Sequence, residues 1–163
     1  ELEKYMAELK SAWSESVAEI KTGNPVTDVI LTQKQKEAEE KGIDFRCKFM
    51  YPTDTGINAF DVSVILNNAI TNAFEGVNGC KNPYVSVSAY RKKNAYMLEL
   101  TNCVCKSVEI DDETGVPETT KKDKGSHGFG LANIRKVAQK YYGDIDISQD
   151  ENSFTLTVML MVE

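Results

Sequence analysis

Two asparagines four residues apart, Asn68 and Asn72 in "ILNNAITNAFEG", are the first residues whose type and spacing suggest chemistry. On a helix that spacing puts both side chains on one face. Asparagine is a poor interior helix residue, because its amide competes for backbone hydrogen bonds, so a pair beside an apolar stripe calls for a compensating role. The side-chain oxygen suits Mg²⁺, a hard cation that takes oxygen ligands, keeps several waters and bridges to phosphates. The alternative is that both amides simply hydrogen-bond neighbouring loops.

A second cluster lies in "KGSHGFGLANI". Gly128 and Gly130 flank Phe129 directly before a helical pattern that continues through Leu131, so backbone N–H groups there can approach an anion closely and the helix N-terminus adds favourable partial charge. The dinucleotide fingerprint GxGxxG is not met, because Asn133 stands at the third glycine position, and the GxxxxGK[ST] pattern is absent. Lys121, Lys122 and Lys124 just upstream are either phosphate-neutralising cations or a solvated charge run. His127, the only histidine, is either a hinge or phosphate contact or a hydrogen-bonded loop residue.

The elements that must position these residues can be read from periodicity. Leu2, Met6, Leu9, Trp13, Val17 and Ile20 step by three and four, which predicts an amphipathic helix over residues 1–21 with Trp13 as a packing residue. "TGNP" breaks it, a second helix follows over 26–41 to Gly42, and "IDFRCKF" alternates as a strand. After the turn "YPTDTG", residues 58–76 form the strongest helical pattern, carrying the asparagine pair at the edge of its stripe. "YVSVSAY" and "YMLELTN" read as a hairpin across "RKKN". About two dozen residues without periodicity come next, "CVCKSVEIDDETGVPETTKKDKGS"; a loop of that length is a lid, a binding loop or disorder. "HGFGLANIRKVAQKYYG" then reads as a helix capped by Gly143, and two strands, "DIDIS" and "FTLTVMLMV", close the chain.

With 163 residues, 41% hydrophobic and 27% charged, one domain plus a small N-terminal element is expected, and no stretch is long and apolar enough to span a bilayer. The net charge of −6 argues against a nucleic-acid partner, which would require clustered Lys and Arg. Cys47, Cys80, Cys103 and Cys105 form no CxxC pair; the spacing of the last two predicts side chains on one face of a strand, and all four are read as reduced, partly buried thiols of a reducing compartment. The chain begins at Glu1 without a leader, so a fragment of a longer protein is expected.

Taken together, these motifs resemble the ATP-binding catalytic domain of a sensor histidine kinase of the GHKL superfamily, and within it the peptide-pheromone-receptor type of quorum sensing. "DVSVILNNAITNAFEG" is similar to the N box and "HGFGLANI" to the G2 box. The resemblance implies a Bergerat-type fold, a two-layer α/β sandwich with a mixed sheet covered by helices on one face. It implies ATP and Mg²⁺ as cofactors, Asn72 as metal ligand, and Asn68 and Asn72 as the catalytic pair. Lys121, Lys122, Lys124, His127, Gly128, Phe129, Gly130 and Leu131 become nucleotide contacts. Where most members carry a DxGxG aspartate that reads the adenine amino group, "ELTNCVC" places Asn102, an uncharged acceptor that should bind adenine more weakly. Glu75 stands where many members have a basic residue.

In related ATPases a glutamate one turn before the magnesium asparagine activates water; Asn68 has no such basicity, so slow hydrolysis is expected. The implied reaction is phosphoryl transfer to a histidine upstream of this chain, relayed to a response regulator, in a kinase that is a homodimer, a phosphoprotein and membrane-anchored through its other parts, with this domain cytoplasmic. Residues 1–22 would be the end of the dimerisation and phosphotransfer hairpin, or else an amphipathic helix folded on its own domain; residues 23–163 would be the catalytic domain. Two rival readings stay open: a serine/threonine kinase of the anti-sigma-factor type, and a nucleotide-free dimerisation or binding module.

Overall fold

The computed structural model describes Lys4, residues 19–106, 109–115, Pro117 and residues 129–162. Most of the predicted N-terminal helix, Trp13 included, and Lys121, Lys122, Lys124, His127 and Gly128 lie outside the described residues; its predicted end does not hold, because residues 19–21 are not helical and lead into the Asn24 cap.

Helix α1 (Pro25–Glu40) starts where the sequence places a proline at its first position and Asn24 before it, and the Asn24 side chain accepts from the Val26 N–H at 2.9 Å. "TGNP" therefore builds a cap as well as breaking the chain. Thr22 is fully buried there: its backbone N–H donates to Asp28 Oδ1 at 2.6 Å and its hydroxyl lies 2.5 Å from that of Thr27. Two residues past the end of the helix stands Gly42, whose φ of 67° is the left-handed conformation that glycine adopts without a side-chain clash. Strand β1 (Asp44–Lys48) follows, with Phe45 and Cys47 facing the helices and Asp44, Arg46 and Lys48 facing solvent.

The segment from Phe49 to Asn58 is pinned by two tyrosines. The Tyr96 hydroxyl donates to the Met50 carbonyl at 2.6 Å and the Tyr51 hydroxyl to that of Ile57 at 2.5 Å. Helix α2 (Ala59–Gly76) then begins at Asn58, whose side chain accepts from the Phe60 N–H at 2.8 Å. Its stripe of Val62, Ile65, Leu66, Ala69, Ile70, Ala73 and Phe74 is buried. Strands β2 (Tyr84–Lys92) and β3 (Ala95–Cys103) form the expected hairpin, with a two-residue turn at Lys93 and Asn94. Helix α3 (Phe129–Lys140), β4 (Asp144–Gln149) and β5 (Ser153–Met161) complete the fold.

The five strands form one mixed sheet in the order β1-β2-β3-β5-β4, with only the β1–β2 pair parallel. A parallel pair needs a crossover, and α2 supplies it. All three described helices cover the same face, α1 beside β1, α2 over β2 and β3, and α3 over β4 and β5. The core lies between the layers, where Val85, Val87, Leu98, Leu100, Leu156, Val158 and Leu160 meet the α2 stripe. The opposite face carries Ser86, Glu99, Thr101, Thr155 and Thr157, a half-exposed polar pattern suited to water.

Two expectations need correction. The residue in the left-handed conformation after α3 is Tyr142, at φ 55°, and not Gly143. Gly143 sends its N–H back to the Ala138 carbonyl at 2.9 Å, and it is glycine for lack of space: a Cβ there would fall 1.7 Å from the Met159 carbonyl oxygen. Cys103 and Cys105 do not share a strand face either. Strand β3 ends at Cys103, so alternation stops; Cys103 is buried and Cys105 exposed.

Candidate functional site

Helix α2 is the axis of the site. Asn68 and Asn72 are both half-buried at the edge of its apolar stripe, where their spacing puts them. Asn68 donates through Nδ2 to the Val64 carbonyl at 2.8 Å, a bond back into its own helix that leaves its oxygen as the acceptor. The Asn72 side chain makes no hydrogen bond to another described residue, and helix α3 arrives directly against it. A Cβ at Gly130 would stand 3.0 Å from Asn72 Nδ2 and 3.2 Å from Oδ1. Glycine at 130 thus lets the two helices approach closely without displacing the Asn72 amide.

One turn further along the same face, α2 meets the end of β3. A Cβ at Gly76 would come within 2.8 Å of Asn102 Nδ2, and that nitrogen donates to the Cys103 carbonyl at 3.0 Å. Asn102 is 4% exposed. With its nitrogen engaged by the backbone, the amide oxygen is the group left for an incoming donor. Positions 68, 72 and 76 share one helical face, so the asparagine pair, the glycine turn of α3 and the end of β3 are all set along it. Gly76 escaped the sequence reading, because its partner Asn102 is reached only through the fold; its spacing of four from Asn72 was the available signal.

Helices α2 and α3 run antiparallel, so the far end of α3 returns to the start of α2. There Asp61 Oδ2 accepts from Lys140 Nζ at 2.7 Å and from the Tyr141 hydroxyl, which itself accepts from the Asn58 N–H at 3.0 Å. Burial opposes ionisation of Asp61, but the hydrogen bonds from Lys140 and Tyr141 outweigh it and hold the carboxyl below its ordinary value. The bond to Asp61 raises Lys140 in turn, and burial together with Asp61 raises Tyr141. Arg135 ties α3 to its surroundings on another side, donating to Asp144 Oδ1 and to the Thr114 carbonyl, each at 3.1 Å. The Thr114 contact anchors a turn that Asp111 closes by accepting from the N–H groups of Glu113 and Thr114 at 2.8 Å. The front of the long aperiodic segment is thus an ordered turn, which the lack of periodicity concealed.

Leu131 packs half-buried against the core, and Phe129 opens α3. The chemistry available is that of oxygen acceptors on α2, an acceptor amide at the end of β3 and the N-terminus of a helix beside them. A half-buried amide facing a glycine-lined approach fits a Mg²⁺-bound phosphate, and the donor set of Asn68 and Asn72 is of the oxygen type that Mg²⁺ takes. Among the described residues no group of three or more His, Cys, Asp or Glu could hold a metal ion.

The sequence pattern of the GHKL domain matches residues 57–161. No curated protein sequence matches the chain significantly. Among solved structures, the catalytic domain of the histidine kinase ThkA superposes with a TM-score of 0.67 at 18% identity, covering 90% of this chain and 95% of that one. The mycobacterial sensor histidine kinase MprB gives 0.61 at 15% identity, over 85% of this chain and 94% of that one. The histidine kinase AdeS of Acinetobacter baumannii gives 0.62 at 14%, over 85% and 64%. At these identities the likeness establishes the fold, a two-layer α/β sandwich of the histidine kinase catalytic-domain type.

Proposed function

The chain belongs to the GHKL domain family, and from that premise we propose that it is the ATP-binding catalytic domain of a sensor histidine kinase, transferring the γ-phosphoryl group of ATP to a histidine upstream of this chain. The observation that carries the reading is the convergence on one face of α2, where Asn72 meets Gly130 of α3 and Gly76 meets Asn102 of β3. Asn72, with Asn68 one turn before it, holds Mg²⁺; the Asn102 oxygen accepts from the adenine amino group. Gly128, Phe129, Gly130 and Leu131 form the turn that meets the phosphates, with Lys121, Lys122, Lys124 and His127 approaching from the long loop.

When bound, Mg²⁺ neutralises phosphate charge. The work of this chain is alignment. Phosphoryl transfer to an imidazole that brings its own nucleophilicity requires mainly positioning and charge stabilisation. Neither Asn68 nor Asn72 can take a proton from water at neutral pH, so the bound nucleotide is kept for the acceptor histidine rather than hydrolysed. In this reading residues 1–22 are the end of the dimerisation and phosphotransfer hairpin. The full-length protein is a membrane-anchored homodimer of the peptide-pheromone-receptor type that passes its phosphoryl group to a response regulator, with this domain in the cytoplasm. No helix among the described residues is long and apolar enough to cross a membrane.

The test is calorimetric titration of ATP with and without Mg²⁺, followed by phosphotransfer from [γ-³²P]ATP to a histidine-bearing helical hairpin supplied in trans. Binding that weakens at least tenfold in Asn72→Ala, and label appearing on the hairpin histidine, are the expected results. Absence of binding at about 1 mM nucleotide, which corresponds to roughly 4 kcal/mol, would overturn the reading.

A further inference from the structure

Three of the four cysteines, distant in sequence, meet at one spot beside the floor of the site. Cys80 lies in the loop joining α2 to β2, Cys103 ends β3, and Cys105 follows where the chain leaves the sheet. The Cys80 thiol lies near enough to those of Cys103 and Cys105 for both to act on its ionisation. The Cys105 thiol donates to the Asn78 carbonyl at 3.4 Å, and a Cβ at Gly79 would come within 3.3 Å of its sulfur, so Cys105 rests on the loop that carries Cys80. Cys103 sits behind them, buried, with its sulfur accepting from the Tyr84 N–H at 3.4 Å. Cys80 also borders a cleft of about 420 Å³ lined by Lys41, Ile43, Phe74, Val77 and Asn78, which gives a small oxidant a second way in. The fourth thiol, Cys47, stands apart on β1.

We propose that Cys105 and Cys80 form a thiol–disulfide couple that closes on exposure to hydrogen peroxide. Cys105 is the exposed member and takes the oxidant first. Its sulfur attacks one peroxide oxygen, the O–O bond breaks, and Cys105 becomes a sulfenic acid while the other oxygen leaves as water. The Cys80 sulfur then attacks the sulfenic sulfur; the S–O bond breaks, and the hydroxyl departs with the Cys80 proton as a second water. In total two thiols lose two hydrogens and one peroxide is reduced to two waters. Burial, with the neighbouring Cys103 and Cys105 thiols adding to it, pushes the Cys80 thiol well up, which makes it a poor first target for the oxidant and leaves that step to the exposed Cys105.

The bridge would tie the α2–β2 loop to the chain just beyond β3, on either side of the contact between Gly76 and Asn102. The test needs no nucleotide, so it stands apart from the kinase reading. The protein is treated with equimolar peroxide, counted for thiols, weighed intact, and mapped by proteolysis without reduction. Expected are loss of two of the four thiols, a mass lower by two hydrogens, a peptide linking Cys80 to Cys105, and full reversal by dithiothreitol. Cys105→Ser and Cys80→Ser should each abolish the bridge, and Cys47→Ser should leave it intact. Survival of all four thiols, a bridge lacking Cys105, or oxygen accumulating on Cys105 with no bridge would overturn the proposal.

Discussion

Replacing Gly130 by alanine separates what this residue does for the fold from what it does for Asn72. The new Cβ would stand 3.0 Å from Nδ2, 3.2 Å from Oδ1 and 3.5 Å from Cγ of Asn72, tight by a few tenths of an ångström. The crowded atoms are the far end of a half-buried side chain, so the amide can swing aside at small cost. Against that cost stands the helix propensity of alanine, worth up to about 1 kcal/mol over glycine and less near a helix start. The variant should therefore unfold within about 1 kcal/mol of the parent. Binding responds differently, because Mg²⁺ demands near-ideal octahedral geometry and a displaced amide oxygen no longer meets it. Losing one contact to a charged group costs roughly 1.5–3 kcal/mol, or about 10- to 150-fold in affinity for Mg²⁺-ATP. Thermal unfolding and calorimetric titration on the same sample read the two effects separately. Parental affinity in a folded Gly130→Ala protein would refute the placement of Asn72 at the metal, and destabilisation beyond about 2 kcal/mol would refute the account of the packing.

Other substitutions test the frame around the site. Gly143→Ala should destabilise by more than about 3 kcal/mol in denaturant unfolding, since its Cβ would strike the backbone of β5 and overpacking against side chains alone costs about 1–3 kcal/mol. Tyr142→Gly at the neighbouring position, 90% exposed and at φ 55°, should stabilise by up to about 1 kcal/mol by relieving the left-handed strain. Asp61→Asn should cost about 1–2 kcal/mol at neutral pH, at the lower part of the range for charged hydrogen bonds because Lys140 is mostly exposed. The Asp61 carboxyl is held below its ordinary value in the folded state, so its contribution is complete above the unfolded-state value and vanishes as pH falls through the folded one. Urea midpoints of parent and variant should accordingly converge in acid; a gap that persists at low pH would show that Asp61 acts otherwise.

Much of this architecture is written in local pattern. The stripe on α2 and its flanking asparagines could be read at once, because a helix shows its buried and exposed faces through a period of 3.6 that neighbouring residues share. The strands and the single hairpin turn followed from alternation and turn residues. What escaped depended on contacts between distant segments. Gly143 looked like a helix cap because glycine usually is one there, whereas its identity is set by the Met159 carbonyl. Gly76 ends its helix as read, but that it also makes room for Asn102 could not be seen locally. The spacing of Cys103 and Cys105 implied a shared strand face, but β3 stops at Cys103, and the two sulfurs find separate partners, Cys103 at the Tyr84 N–H and Cys105 at the Asn78 carbonyl. The parallel pairing of β1 with β2 was likewise beyond local reading, since register across a crossover is fixed by the sheet as a whole.

The clasp of Asp61 with Lys140 and Tyr141 gives α3 the mechanics of a lever. Its fulcrum is at the C-terminal end, while the other end abuts Asn72 through a glycine that has no side chain to hold it there. The arm between them, ten residues at 1.5 Å each, is about 15 Å long. A tilt of about 5° at the clasp moves the tip by roughly 1.3 Å, and a misplacement of about 1 Å at a reacting centre can cost on the order of 100-fold in rate. Under the proposed function, a carboxylate at the far end of α3 from Asn72 would govern how well the nucleotide is aligned.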